Sequence, residues 1–264
     1  MQEERDYLKM TVESGVAPLE LKYCGIYGCY SKKPVAFRTS TQVNGIILGT
    51  LTPSEYSFVT DNTDRGIKLA TWSMLEAMSH INKCLSQGKD IDWISVRCPV
   101  NMATTTDMYE FVGKIIEDNK FEHPEKLCLE FSQSILFEEE AKARLSILDM
   151  KLLKVRTLMS GCASDFCPTE KLMAIPFDTV LIDPKMTVLV NDRNKDKVIN
   201  SLIAYIRSMR IEVIGEGVLN DDQIRALNRA DCMGYIPSVK YVGSEPHGSD
   251  SMSFDEAVNL IVND

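Results

Sequence analysis

Apolar and polar positions change their spacing several times along the chain, and each spacing predicts a different element. Residues 19–28 and 34–43 are short, mostly apolar runs joined by a polar Ser-Lys-Lys turn, which is typical of paired strands. A Thr-Pro pair at 52–53 is typical of a helix start. From Arg65 to Leu85, apolar residues recur every three or four positions, which predicts an amphipathic helix.

From residue 93 onward, predicted strands alternate with predicted helices. The strands are predicted at 93–100, 126–132, 153–159, 178–183 and 211–217, and the helices at 104–116, 137–150 and 195–210. Alternation of strands with helices of ten or more residues predicts βαβ units and a parallel sheet. About seven or eight such units in one undivided chain favour a (β/α)-barrel over an open sheet.

The predicted helices at 137–150 and 195–210 each carry an apolar stripe that we expect to face the sheet. The stripes consist of Ala141, Leu145 and Leu148 in the first helix, and of Val198, Leu202, Ile206 and Met209 in the second. No repeat, low-complexity tract or Pro/Gly/Ser-rich linker divides the 264 residues. We therefore expect a polar lead-in helix at 1–17, followed by one barrel domain over 18–264.

Charge and cysteine usage narrow the classes of partner. The chain carries 29 Lys and Arg against 38 Asp and Glu, a formal charge of −9 at pH 7, which repels nucleic acid and anionic membranes. No run of about 18 apolar residues is present, and the charged start MQEERDYLKM lacks the apolar core of a signal peptide. The eight cysteines include no Cys-x-x-Cys pair, which is typical of reduced thiols. We therefore expect a cytoplasmic protein with neither nucleic acid nor a membrane as its partner.

The ends of the predicted strands carry the candidate chemistry. Active sites of barrels lie at the C-terminal ends of the strands. Those ends carry Arg97, Glu130, Asp183 and Glu216, and Arg38 lies near the end of the second strand. We expect these carboxylates and guanidinium groups to face one barrel mouth.

Several segments resemble, in order and in spacing, those of one protein family. The segments at 175–186, IPFDTVLIDPKM, and at 211–227, IEVIGEGVLNDDQIRAL, are similar to the family's LPVDTLKID and AEGVET segments. The stretches at 94–100 and 126–134 are similar to its VNLS-like strand and its LELEITES strand. Over roughly residues 18–246, the chain resembles the EAL domain family, bacterial phosphodiesterases of cyclic di-GMP. The resemblance implies an α/β fold, a (β/α)8 TIM-like barrel of the EAL type with one reversed strand.

The resemblance also implies which residues stand at the family's catalytic positions. The Glu of the name-giving Glu-Ala-Leu motif falls on Arg38, and the metal-binding Asn falls on Arg97. The paired Asp of the DDFGTG loop fall on Ser160 and Gly161, and the catalytic Lys falls on Leu181. The substitutions predict that these positions have lost the family's chemistry.

Two metal-binding carboxylates of the family are kept as Glu130 and Glu216. Active members use two divalent cations to activate water and to hold the phosphodiester. With Arg38 and Arg97 in place of former ligands, the charge of these four residues is 2 − 2 = 0. A guanidinium about 5 Å from a divalent ion costs roughly 6–7 kcal/mol at an effective dielectric constant of 20. We therefore expect vestigial metal positions, no bound metal or cofactor, and no catalytic residues.

Two roles stay open for Arg38 and Arg97. In the first, both pair with Glu130 and Glu216 and form an internal ion-pair network. In the second, they are phosphate-binding residues, because guanidinium groups recognise phosphate.

The interpretation favoured by the sequence is a catalytically inactive EAL-like domain that acts as a regulatory protein-interaction module in bacterial signalling. One alternative is a metal-independent receptor for cyclic di-GMP. A less favoured one is a residual phosphodiesterase. The partner would be a regulatory protein, and a homodimer is a further open arrangement, since relatives often pair through helices near the loop that is substituted here.

Overall fold

The structure of the protein is a computed structural model, and it describes residues 19–45, 49–164, 168–244, 247–248 and 250–261. The lead-in helix expected at 1–17 lies outside the described residues. The strands of the described part are β1 Leu19–Gly28, β2 Pro34–Gly45, β3 Gly49–Leu51, β4 Ile94–Arg97, β5 Leu127–Ser132, β6 Arg156–Cys162, β7 Thr179–Ile182, β8 Glu212–Val218 and β9 Gly234–Pro237.

Eight of these strands close into a barrel, in the order β1-β9-β8-β7-β6-β5-β4-β2, and β3 adds to β2 outside it. Strand β1 is antiparallel to both of its neighbours, β2 and β9. From β2 through β4 to β9, the neighbouring barrel strands are parallel. The predicted α/β barrel with one reversed strand is therefore confirmed.

Helices follow most of the parallel strands and cover the outside of the barrel. They are α1 Pro53–Thr60, α2 Asp64–Ser86, α3 Met102–Thr105, α4 Met108–Asp118, α5 Glu140–Leu152, α6 Thr169–Ala174, α7 Pro184–Thr187, α8 Asp196–Ser208, α9 Asp221–Arg229 and α10 Phe254–Leu260. None of the helices within the described ranges combines the length and the apolar character that crossing a bilayer requires.

The barrel interior contains one apolar cluster beneath the C-terminal ends of the strands. It consists of Ile26, Ala36, Trp93, Cys128, Leu158, Leu181, Ile214 and Ile236. These residues are almost fully buried, with one on or next to each barrel strand. Side chains two positions apart share one face of a strand. Arg38, Glu130 and Glu216 each lie two positions beyond a member of this cluster, so they form the next layer toward the mouth.

The expected inward face of α5 is wrong, and that of α8 is wrong for Val198 alone. In α5 the buried residues are Ala143, Ser146, Ile147 and Met150, whereas Ala141 and Leu145 are exposed. In α8 the expected Ile206 is buried, and Leu202 and Met209 pack against the core, whereas Val198 is exposed and Ile199 and Ile203 are buried in addition. Both helices carry more than one apolar stripe. Periodicity alone therefore does not identify which stripe packs against the barrel.

The single helix expected at 104–116 is also wrong, because the chain forms two helices there. Helix α3 ends at Thr105, and α4 begins at Met108. Between them, the Asp107 carboxylate accepts a hydrogen bond from the backbone N–H of Glu110 at 3.0 Å. A capping Asp starts a new helix in a favourable way, which explains the break.

Candidate functional site at the barrel mouth

The C-terminal ends of the barrel strands surround an open cavity of about 750 Å³. Arg38 on β2, Glu130 on β5 and Glu216 on β8 line it, as do Arg97 at the end of β4 and Lys185 on α7. The structure therefore brings together four of the five residues that the sequence places at the mouth. The fifth, Asp183, does not line this cavity.

Arg38 lies between the two retained carboxylates and binds both. Its Nε donates to Oε2 of Glu130 at 2.9 Å, and its Nη2 donates to Oε1 of Glu130 at 2.6 Å. Its Nη1 donates to Oε1 of Glu216 at 2.6 Å. The Glu130 side chain is 2% exposed and that of Arg38 is 25% exposed. A bidentate guanidinium–carboxylate pair with this burial is among the stronger hydrogen-bonded arrangements.

The charges in this cluster support one another. Burial opposes ionisation of Glu130, but the Arg38 guanidinium outweighs it, so the pKa of the Glu130 carboxyl lies below its usual value. Burial likewise opposes the charge on Arg38, yet Glu130 and Glu216 raise the pKa of its guanidinium. Arg38 and Glu130 are therefore both charged at neutral pH.

Arg97 does not join this cluster, so the first of the two open roles, in which both arginines pair with Glu130 and Glu216, is wrong for Arg97. Its Nη2 lies 2.8 Å from Oδ2 of Asp61 in the turn between α1 and α2. Both side chains of this pair are about one third exposed. Arg38 alone already occupies both oxygens of Glu130 and one oxygen of Glu216, which leaves Arg97 to pair with the rim.

The other positions that the resemblance implies to be substituted, Ser160, Gly161 and Leu181, carry no carboxylate. Ser160 at the end of β6 donates a long hydrogen bond of 3.5 Å to a backbone carbonyl of β5. Gly161 has φ of 76°, a left-handed conformation that favours glycine. Leu181 is fully buried in the apolar cluster of the barrel interior. Asp183, expected at the mouth, instead accepts a hydrogen bond at 2.8 Å from a backbone N–H at the start of α7.

Sequence reasoning missed Cys24 and Lys185, which line the mouth, and Asp61, which pairs with Arg97 at the rim. Asp61 begins the segment DNTDRG, which carries only the signal of a turn and helix cap. Cys24 lies on β1, two positions from the interior residue Ile26, and strand alternation could have placed it at the mouth. Burial raises the pKa of the Cys24 thiol to about 12, so it is protonated and a poor nucleophile at neutral pH.

The pair of divalent cations that the EAL resemblance implies does not fit the residues present. A positively charged guanidinium already binds Glu130 and Glu216, the two carboxylates that the resemblance assigns to metal binding. In the part of the chain that the structure describes, no group of three or more His, Cys, Asp or Glu side chains is arranged to hold a metal. We therefore derive no reaction step through a metal ion.

Known proteins share this architecture. In sequence, 110 residues are 29% identical to an uncharacterised signalling protein of Caulobacter vibrioides, covering 41% of this chain and 14% of that protein. The chain thus spans about one seventh of this curated relative.

Solved structures superimpose on nearly the whole chain. The EAL enzyme Bd1971, solved with cAMP and cyclic di-GMP, has a TM-score of 0.82 and 17% identity, covering 99% of this chain and 70% of that one. The PaMucR phosphodiesterase in complex with cyclic di-GMP has a TM-score of 0.80 and 16% identity, covering 97% and 100%. At such low sequence identity, the structural similarity establishes the fold alone. The model of the EAL domain, in addition, matches residues 12–235 of the sequence, and so this chain belongs to the EAL domain family.

Proposed function

We propose that this chain is an EAL domain without phosphodiesterase activity that acts as a regulatory protein-interaction module. One observation carries the proposal: Arg38 occupies both carboxylates, Glu130 and Glu216, that remain at the family's metal-binding positions. A partner would then be regulated by binding this barrel and not by a product of hydrolysis.

Electrostatics at the mouth support the loss of hydrolysis. Glu130 and Glu216 contribute −2 and Arg38 contributes +1, so the cluster carries −2 + 1 = −1. Arg97 and Asp61 cancel each other at the rim. A net charge of −1 does not offset the four positive charges of two divalent cations, which prefer several oxygen ligands each.

Loss of the other groups acts in the same direction. Without a bound cation, a water at the mouth keeps a high pKa and is a weak nucleophile. Leu181 offers an apolar side chain where the family places its Lys, so no ammonium group reaches an attacking water or a phosphate from β7. Ser160 and Gly161 supply no carboxylate from β6.

An apolar rim beside the mouth supports a protein partner. Val239 and Val242 are 74% and 79% exposed on the loop that follows β9. Asp221 holds this loop in place, because its carboxylate accepts hydrogen bonds from the Tyr241 hydroxyl, from the Ser244 N–H at 3.1 Å and from the Ser244 hydroxyl at 2.8 Å. Exposed apolar side chains on an ordered loop are typical of binding surfaces.

Two measurements test this proposal. A hydrolysis assay on cyclic di-GMP and on its linear product, with millimolar Mg²⁺ or Mn²⁺, should show no turnover above the buffer control. Turnover that Glu130→Ala or Glu216→Ala abolishes would overturn the loss of activity.

For the binding role, a photo-crosslinking residue at position 239 should capture one discrete protein in the native cells, and the same residue at the exposed position 198 should not. Identical adducts from both positions would contradict a partner site at the mouth.

A metal-independent receptor for cyclic di-GMP is the second candidate, and the size of the mouth favours it. The cavity above Arg38 remains open, and about 750 Å³ is within the range of small-molecule sites. However, Arg38 and Arg97 already bind carboxylates, so phosphate would have to displace Glu130 or Asp61. Calorimetry with cyclic di-GMP in the absence of metal should therefore show no binding heat, and saturable binding would favour the receptor.

A further inference from the structure

The C-terminal helix α10 is held against α2 by an aromatic stack. The rings of His80 on α2 and of Phe254 at the start of α10 are nearly parallel, with centroids 4.0 Å apart and 11° between their planes. The Lys83 ammonium lies 4.7 Å from the centroid of the Phe254 ring, and its Nζ is 3.2 Å from Oδ1 of Asp255. The start of α10 is thus attached to α2 through His80 and Lys83.

A buried hydroxyl group selects the neutral form of His80. Tyr23 on β1 is 1% exposed, and its hydroxyl lies within hydrogen-bond distance of Nδ1 of His80. Among the described residues, this nitrogen is the only partner of the hydroxyl. Neutral imidazole can accept the Tyr23 proton at Nδ1, whereas both nitrogens of the protonated ring are donors. Protonation of His80 therefore leaves a buried O–H group without an acceptor, which costs free energy.

Charged and titratable groups face His80 from α2, α10 and β1. On α2, Oε2 of Glu76 lies 3.9 Å from Nε2 of His80 and favours the charged ring, whereas Lys83 opposes it. On α10, Asp255 also favours the charge, but it lies beside Lys83. On β1, burial raises the pKa of the Tyr23 hydroxyl far above its usual value, so Tyr23 stays neutral. Burial is the largest effect at His80 and holds the pKa of its imidazole below its usual value, so the ring is neutral at pH 7.

The chain segment before α10 forms part of the wall of the barrel mouth. Asp250 and Ser251 line the mouth cavity, and the Ser251 hydroxyl accepts a hydrogen bond from Nε2 of Gln42 at 3.2 Å. At Met252 the segment pairs with β1, because two backbone hydrogen bonds of 2.9 Å join Met252 and Tyr23. Tyr23 thus binds the mouth wall through its backbone and α2 through its side chain.

The link between this wall and α10 is short, so the two are coupled. Only Ser253 separates Met252 from the first residue of the helix. The helix has seven residues, too few to be stable by itself in water, and its buried residues are Ala257 and Val258. Elements with so few buried contacts open locally at a low cost in free energy. Loss of the His80 contact should therefore free α10 and the preceding segment together.

We propose that α10 is an acid-sensitive latch, in which protonation of His80 releases α10 from α2 and frees segment 250–252 at the mouth. The imidazole binds a proton more readily in the open state, because opening relieves its burial. The closed state is therefore favoured above about pH 6.5 and loses stability as the pH falls below it. The ratio of open to closed molecules should rise by up to about 10-fold for each pH unit. This inference does not depend on whether the barrel mouth is catalytically active.

Native-state hydrogen exchange of the full chain, measured amide by amide by NMR between pH 7.5 and pH 5, tests the latch. The Met252 and Ala257 amides both donate backbone hydrogen bonds. Their protection factors, corrected for the intrinsic pH dependence of exchange, should fall by about 5- to 30-fold over this range. Amides of the barrel strands β5 and β8 should keep their protection. Protection of α10 that does not change with pH would overturn the proposal.

Histidine variants assign the response to one residue. His80→Phe combined with Tyr23→Phe keeps two rings beside Phe254 and removes both the titrating nitrogen and the buried hydroxyl, so α10 should stay protected at pH 5. His123→Gln, which changes an exposed histidine, should keep the wild-type response, and so should His247→Gln in the loop after β9. A response that persists in the double variant, or that disappears only in His247→Gln, would overturn the proposal.

A titration of the wild-type chain gives a test that needs no variant. NMR signals of the His80 ring should report a pKa below the usual value for histidine, and the loss of protection in α10 should follow protonation of this ring. A His80 pKa above the usual value would overturn the latch, because protonation would then favour the closed state.

Discussion

The apolar cluster of the barrel interior, which includes Leu181 and Ile214, forms the floor of the barrel beneath the mouth. The floor and the mouth are adjacent layers of the same strands, yet they differ in polarity, charge and exposure. In the floor, residues such as Ala36, Leu181 and Ile214 are apolar and almost fully buried. In the mouth, two positions further along, Arg38 and Glu216 are charged and partly exposed. The floor has the apolar packing of a closed barrel, whereas the mouth holds a guanidinium between two carboxylates.

This difference supports our proposal that the barrel keeps its fold while the chemistry of its mouth has changed. Packing of the floor depends on the volume and shape of apolar side chains, and the mouth contributes little to it. Arg38 nevertheless stabilises the mouth, because its guanidinium binds two carboxylates that would otherwise repel each other. The following experiments separate the contributions of the floor and of the mouth to the free energy of unfolding.

The largest effect is expected for Arg38→Ala in the mouth. Removal of the guanidinium leaves the buried Glu130 carboxylate without its cation, and breaking a buried pair in this way costs about 3–5 kcal/mol. Urea denaturation at pH 7 measures the loss of unfolding free energy. Arg38→Met combined with Glu130→Gln removes both charges and should recover most of it. A single variant as stable as the wild type would show that the cluster is not a structural element.

A somewhat smaller effect is expected for Leu181→Ala in the floor. Truncation of a fully buried Leu leaves a cavity, and such changes cost about 2–5 kcal/mol. In contrast to Arg38→Ala, this loss should not depend on pH between 5 and 8, since no charge is involved. Denaturation midpoints at several pH values measure this, and a strong pH dependence would contradict an apolar floor independent of the mouth.

A smaller effect on the free energy of unfolding is expected from a fall in pH. The sign of this effect should differ between the wild type and Arg38→Ala. In the wild type, the Arg38 guanidinium lowers the pKa of the Glu130 carboxyl below its usual value, so the unfolded chain binds the proton more readily. This part of the stability is therefore present above about pH 4.5 and is lost as the pH falls below it. In Arg38→Ala, burial alone should raise the pKa of Glu130, so a fall from pH 7 to pH 5 should stabilise the variant.

Glu130→Gln is the reference for this pH profile. The difference in unfolding free energy between wild type and Glu130→Gln should shrink as the pH falls below about 4.5, because Gln at position 130 cannot titrate. A difference that stays constant down to pH 3 would contradict the lowered pKa.

The smallest effect is expected for Arg97→Gln at the rim. Its pair with Asp61 is about one third exposed, and such pairs contribute below about 1 kcal/mol. The same denaturation assay should therefore separate this variant clearly from Arg38→Ala. A loss as large as that of Arg38→Ala would place Arg97 in the structural cluster after all.

Strand ends and family motifs predicted much of the barrel and of its mouth. Arg38, Glu130 and Glu216 were placed together because each lies at the C-terminal part of a predicted strand, where period-two alternation is a reliable guide. Partners from loops could not be placed in this way. Asp61 lies 36 residues before Arg97, and the turn that brings them together leaves no periodic signal.

Helix orientation is the other point at which the sequence was insufficient. Ala141, Leu145 and Leu148 form a stripe as regular as the buried face that includes Ala143 and Ile147. A period of 3.6 residues identifies a helix, but it does not distinguish a face for the barrel from a face for a second protein. The prediction failed because this helix carries two such faces.

A crystal structure of the full chain grown in millimolar MnCl₂, with anomalous data collected at the manganese edge, tests the central claim most directly. We expect no anomalous density between Glu130 and Glu216, with the Arg38 guanidinium hydrogen-bonded to both. A manganese ion coordinated by the two carboxylates, with Arg38 displaced, would contradict the account.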